Sequence, residues 1–297
     1  MYKSHTDTLE LFKKLNINKN TLSTVQKKFL DSKGYLVISS EEYMMKNLDK
    51  LNKIANKLIC SEGDKGGWEG KEEHYKKGKN FEDGTNRLGN LIEKHKCFRD
   101  LILIPEILAS AYEVIREDIK IAGFNLRNPL KGSGNQKLHI DWKPRIVSTE
   151  SFYGVVCFIY LDDANINNGS IRVIPGSHKK LGWPDEHIDI GAKHKDEIRL
   201  NVKAGTIVIA NLNLWHAGAD NTNGKPRKMA MLNIKRRDQP QLLNYKKYLS
   251  KETKKLLNSK QKYLLAVREN DTNQEENSVG VGKFYRERYK KNWKTRR

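Results

Sequence analysis

The chain predicts a mainly β fold flanked by α-helices, and three features carry that expectation. Helical spacing of apolar residues is confined to stretches before residue 119 and after residue 241, whereas from Ile119 onward apolar residues gather in short β-rich runs. The run Tyr153 to Leu161 is apolar on both faces, the pattern of a strand in the middle of a sheet. The tripeptide His139-Ile140-Asp141 sets two polar side chains two positions apart, and a rigid extended strand points such residues the same way, roughly 6 to 7 Å apart along the backbone.

Taken in order, the first clear helix start is a capping box, Ser39 with Glu42 three places on, followed by Met45, Leu48, Leu51, Ala55 and Leu58 at helical spacing. Ser61 to Asn86, rich in Gly and charge around Gly66-Gly67-Trp68, predicts a surface excursion, with a lid over substrate as the rarer alternative. A second helical stretch runs from Phe98 to Ile115 and is interrupted by Pro105. Thr206 to Ala210 is a β-branched run leading toward Trp215-His216. Arg227 to Ile234 has a period of two that places Arg227, Met229 and Met231 on one face. Leu242 to Glu269, with Tyr248, Leu256, Leu257, Tyr263 and Leu264, predicts a helical cover.

His139, Asp141 and His216 supply two imidazoles and one carboxylate, the donor set of a non-haem Fe(II) oxygenase site that leaves three coordination positions open. Two of those positions suit a chelating 2-oxo acid and one suits O2. Arg227 would project a permanently charged fork into an otherwise apolar cavity, and such a fork calls for a carboxylate. The distal carboxylate of 2-oxoglutarate answers that need.

With these residues stand longer stretches: Phe29-Leu30-Asp31-Ser32-Lys33-Gly34-Tyr35, Gln136 to Asp141, Leu161-Asp162-Asp163, and Asn168-Gly169-Ser170 through Pro175-Gly176-Ser177-His178. Together they resemble the phytanoyl-CoA dioxygenase family of Fe(II)/2-oxoglutarate-dependent oxygenases over about residues 25 to 265. The resemblance implies a double-stranded β-helix, the jelly-roll core shared with cupins. It implies His139, Asp141 and His216 as metal ligands and Arg227 as the anchor of 2-oxoglutarate, with Gln136 as a further co-substrate contact. The implied reaction consumes O2, releases succinate and CO2, and hydroxylates an unactivated C–H bond of a small, anionic metabolite. Two positions depart from the pattern: Gly218 stands where members often carry Ser, and Phe158 where they often carry Trp.

Taken singly, each piece has a plainer reading. A His-x-Asp occurs by chance, His216 beside Trp215 suits a core histidine, and Arg227 after Pro226 suits a basic surface turn. The conjunction, with the Pro175 to His178 segment between the two metal stretches, favours the oxygenase; His178 itself reads as shaping the pocket rim. Two other functions remain open: a nucleic-acid demethylase of the same chemistry, which would want a second Arg that Arg236 and Arg237 do not convincingly supply, and a non-catalytic jelly-roll binding protein.

The 297 residues contain no linker or repeat, which predicts a catalytic domain at 25–269 with an N-terminal extension at 1–24 and a basic tail at 270–297. Lys and Arg number 56 against 36 Asp and Glu, a formal charge of +20 that favours anionic partners. A small-molecule substrate is the expected partner, and the charge leaves nucleic acid open. In the tail, Tyr285, Tyr289 and Trp293 recur every four residues among Lys and Arg, which favours an aromatic stripe packed on the domain over a segment that binds an acidic surface such as nucleic acid or membrane phosphate, or one that is disordered. The absence of a bilayer-length apolar run or a secretory-type start, with Cys60, Cys97 and Cys157 in no metal-like pattern, predicts a cytoplasmic protein.

Overall fold

The β-rich runs fold into two antiparallel sheets that share a core. The computed structural model describes residues 6–39, 41–67 and 84–272. Among them are β1 (Tyr35–Ile38), β2 (Thr85–Leu88), β3 (Ile119–Pro129), β4 (Gly154–Tyr160), β5 (Arg172–Val173), β6 (Ile198–Arg199), β7 (Ile207–Asn211), β8 (His216–Ala217) and β9 (Met229–Arg236). The larger sheet has the order β1-β7-β4-β9-β3-β2 and the smaller the order β6-β5-β8. β4 lies between β7 and β9 with every residue buried, as its two-sided apolar run demands. β1 and β2, four-residue strands at the two edges, come before Ile119, where the sequence pattern is too short to reveal a strand.

The two faces of the larger sheet have different partners, and strand alternation decides which residue meets which. Val155, Cys157, Ile159, Leu232 and Ile234 face outward into a cluster built with the helices. Val156, Phe158, Tyr160, Val208 and Met229 face inward to a cluster shared with Ile171 and Val173 of the smaller sheet. Burying each such side chain contributes on the order of 1.5–3 kcal/mol, so a one-residue slip of register would be strongly disfavoured.

Helices pack on the outer face. Thr24–Lys33 opens with a capping box between Ser23 and Gln26 and closes at Gly34, whose φ of 80° is left-handed. A Cβ on Gly34 would stand 2.4 Å from Nδ1 of His178, so glycine also lets the Pro175 to His178 turn approach this helix. The next helix, Glu42–Glu62, is capped by Glu41 and not by Ser39: the Glu41 carboxylate accepts from the backbone N–H of Tyr43 (2.9 Å) and Met44 (2.7 Å). A side chain one methylene longer than Asp folds back on the first turn and takes over the capping. The helix accordingly buries Met44, Leu51 and Ala55 and leaves Met45 exposed.

The stretch from Phe98 to Ile115 is two helices, Lys96–Leu101 and Pro105–Ile115, with Pro105 at the first turn, where its missing N–H costs no hydrogen bond. Short helices at Tyr245–Tyr248, Lys251–Leu256 and Ser259–Leu264 form the expected cover, but on the outer face: Tyr245, Leu249, Leu257 and Leu264 join Phe124 and Leu126 in the helical cluster. Through these residues the cover supports the sheet from behind. Leu11, Phe12, Ile17 and Leu22 enter the same cluster, and the Thr8 and Tyr263 hydroxyls lie 2.7 Å apart. The tail stripe at Tyr285, Tyr289 and Trp293, and most of the Gly-rich excursion, lie outside the described residues. Among the described residues no helix is long and apolar enough to cross a membrane.

Candidate active site

The chain crosses from the larger sheet to the smaller between Asn211 and His216, and this crossing delivers the second imidazole. His139 is extended and bridges His216 through a reciprocal backbone pair, each N–H donating to the other carbonyl at 3.0 Å. Asp141 is fixed by its own N–H, which donates to the Leu212 carbonyl at 2.8 Å. Alternation does the rest: Leu138 and Ile140 turn into an apolar cluster with Ile174, Trp215 and Ala217, and His139 and Asp141 turn the other way.

There the three side chains converge. One ligand atom from each of His139, Asp141 and His216 lies within 4.8 Å of the others. Nε2 of His139 is 3.7 Å from one Asp141 oxygen, and Nε2 of His216 is 3.5 Å from the other. Both Nδ1 atoms are engaged behind the site, His139 with the Lys137 carbonyl and His216 with the Leu214 carbonyl, each at 2.9 Å. Because a carbonyl only accepts, each Nδ1 carries the proton and each Nε2 presents its lone pair toward Asp141. This donor set, with a carboxylate 22% exposed between two buried imidazoles, fits a divalent metal ion.

The electrostatics agree. Burial pushes His139 down to about 3, with His216 adding to the effect, so it is neutral and ready to ligate. Burial also opposes charge on His216, but the Asp141 carboxylate outweighs it and raises that imidazole. Burial would raise Asp141, yet the charge and hydrogen bond of His216, then His139 and Lys235, carry it below its ordinary value. Asp141 and His216 thus each favour the other's charged form, and a metal ion at Nε2 would compete with a proton there.

Arg227 is fully buried on the inner face just ahead of β9, its Nη1 3.8 Å from Sδ of Met229. Gln136 lies at the edge of the same region. Its Oε1 accepts from the Gly218 N–H at 2.9 Å, and its carbonyl accepts from Nη2 of Arg172 at 2.6 Å. A Cβ on Gly218 would sit 2.6 Å from the Gly134 carbonyl, 2.9 Å from Oε1 of Gln136 and 3.4 Å from Nη1 of Arg127. Gly218→Ser should therefore overpack the site and lower stability by about 1–3 kcal/mol, measured by chemical denaturation of the metal-free protein.

Arg172 in turn is held by Glu197 at 2.6 Å, with side chains 1% and 5% exposed. Removing one partner strands a buried charge, so Glu197→Ala should cost about 3–5 kcal/mol in urea unfolding, and a loss under about 1 kcal/mol would contradict this account. The neighbouring motifs are structural. Asp162 accepts from the backbone and ammonium of Lys228, Ser177 Oγ accepts from the N–H of Trp215, and His178 donates through Nε2 to the Asp31 carbonyl. Arg236 pairs with Asp238, and Arg237 with Asp271.

Sequence reasoning missed Arg127 and Tyr160. Both lie on the inner face, directly across β9 from each other, with Met229 between them. The available signal was the alternation Phe124, Asn125, Leu126, Arg127, which sets polar residues on the face opposite the helices.

Among the described residues, His139, Asp141 and His216 thus bring two imidazoles and one carboxylate together as a group that could hold a metal ion. The phytanoyl-CoA dioxygenase (PhyH) family matches residues 30–229, most of the chain, and the chain belongs to that family. An iron/alpha-ketoglutarate-dependent dioxygenase (ausU) of Aspergillus calidoustus is 27% identical over 164 residues, 51% of this chain and 52% of that protein; the match spans about half of that relative's length. An uncharacterized Mycobacterium tuberculosis protein, Rv1501, is 26% identical over 71% of this chain and 74% of its own. Among solved structures, HygX from Streptomyces hygroscopicus with nickel and 2-oxoglutarate bound superposes with a TM-score of 0.54 at 16% identity, covering 72% of this chain and 87% of HygX. The carbocyclase SnoK from nogalamycin biosynthesis gives 0.55 at 17% identity, covering 75% and 87%. These likenesses establish the jelly-roll fold.

Proposed function

We propose that the protein is an Fe(II)- and 2-oxoglutarate-dependent dioxygenase that hydroxylates an unactivated C–H bond of a small, anionic metabolite. The single observation that carries this reading is the convergence of His139, Asp141 and His216 from two distant stretches of the chain. The nickel and 2-oxoglutarate bound to HygX support the choice of cofactor and co-substrate.

His139, Asp141 and His216 would hold the iron, and Arg227 would pair with the distal carboxylate of 2-oxoglutarate. The loaded centre supplies oxygen activation driven by decarboxylation of the 2-oxo acid to succinate and CO2. The chain's own contribution is positional. The Lys137 and Leu214 carbonyls fix the imidazole tautomers, the inward apolar residues of β4, β7 and β9 exclude bulk water, and Phe158 packs edge-on to His216 at 5.7 Å to hold the ring. No acid–base side chain is required. The excess of Lys and Arg favours a carboxylated, phosphorylated or CoA-linked substrate, and the cysteines, free in this structure, suit the reducing cytoplasm.

The test is succinate release by purified protein supplied with Fe(II), ascorbate and 2-oxoglutarate, screened against pools of anionic metabolites. Absence of both metal binding and 2-oxoglutarate turnover would leave only the jelly-roll binding protein.

A further inference from the structure

The inner face of the larger sheet is a grid whose rows are set by the ladder. Tyr160 of β4, Met229 of β9 and Arg127 of β3 form one row, and Phe158, Met231 and Asn125 form the next. Arg227 precedes the first row and touches it through Met229. Phe158 in the second row touches His216. Tyr160, Met229 and Arg227 therefore gather at one end of the inner face, one row away from the Phe158 that packs on His216.

Tyr160 is the anomaly at this end. Its side chain is fully buried, and its hydroxyl has no hydrogen-bond partner among the described residues. An unsatisfied buried hydroxyl costs on the order of 1–3 kcal/mol, and the other inward residues of β4, Val156 and Phe158, are apolar, so Phe at 160 would avoid that cost. Burial pushes the phenol up, and Arg227 is the charged group that draws it back. The hydroxyl thus stands as a neutral donor within the field of a buried guanidinium. A carboxylate has about four lone-pair sites, enough to accept from both.

We propose that the Tyr160 hydroxyl donates a hydrogen bond to the same distal carboxylate that Arg227 pairs with, so that the two side chains together select a 2-oxo diacid over a 2-oxo monoacid. This rests on the reading of the site as a metal and 2-oxoglutarate centre. It makes Tyr160 a co-substrate ligand in its own right and gives its otherwise costly hydroxyl a partner in the loaded protein.

The experiment is calorimetric titration of the full chain, preloaded with Ni(II) in the absence of turnover, with 2-oxoglutarate and with 2-oxobutyrate, which lacks the distal carboxylate. Tyr160→Phe should weaken 2-oxoglutarate roughly tenfold, leave 2-oxobutyrate unchanged, and leave the ligand-free protein at least as heat-stable as wild type. Unchanged affinity for 2-oxoglutarate, or equal weakening of both acids, would overturn the assignment. So would a marked loss of heat stability in the ligand-free variant, since that would mean the hydroxyl serves the fold. If the wild-type protein with Ni(II) binds neither acid, the underlying reading of the site falls with it, an outcome visible before any variant is made.

Discussion

Asp141→Ala is expected to abolish succinate formation and to remove specific binding of a divalent metal. The carboxylate is the one anion among the three converging groups, and both imidazoles address it from within 4 Å, at 3.7 and 3.5 Å. Without it a dication would rest on two neutral rings with no anion to balance its charge. The backbone of residue 141 keeps its bond to the Leu212 carbonyl in the variant, so the fold should survive and circular dichroism should be unchanged. His139→Ala should give the same outcome by removing a ligand whose tautomer is already fixed by the Lys137 carbonyl. Turnover like that of the wild type in either variant would contradict the assignment.

Arg227→Ala carries the second large effect. A fully buried fork facing a carboxylate makes charge-assisted hydrogen bonds worth about 1.5–3 kcal/mol, so the 2-oxoglutarate requirement should rise roughly ten- to a hundredfold while metal binding persists. The split between the two readouts is the discriminating part. A variant that lost both would have lost the fold, whereas one that lost neither would place the co-substrate elsewhere. Arg227→Lys should recover only part of the affinity, since an ammonium cannot present the parallel pair of donors.

Part of the candidate site was legible because it rests on short spacings. His139 and Asp141 declare themselves by a two-residue spacing, and Arg227 with Met229 and Met231 by a period of two within one strand. The central place of β4 followed from its run of residues apolar on both faces. What stayed hidden was whatever depends on the ladder between strands. Tyr160 and Arg127 meet Met229 only through the registers of β4 with β9 and of β3 with β9, which no single-strand pattern encodes. The same reason explains the helical cover: an amphipathic helix announces that it has an apolar side, not which face of a sheet will receive it. Ser39 lost the capping role to Glu41 because a reach-back by a longer carboxylate leaves no short motif to read.

The reciprocal backbone bridge between His139 and His216 has a consequence for metal uptake. The cage stands assembled before any ion arrives, with the effort of gathering remote chain segments already met during folding. The spacing of the two imidazoles is therefore a property of the main chain, independent of whatever the side chains bind.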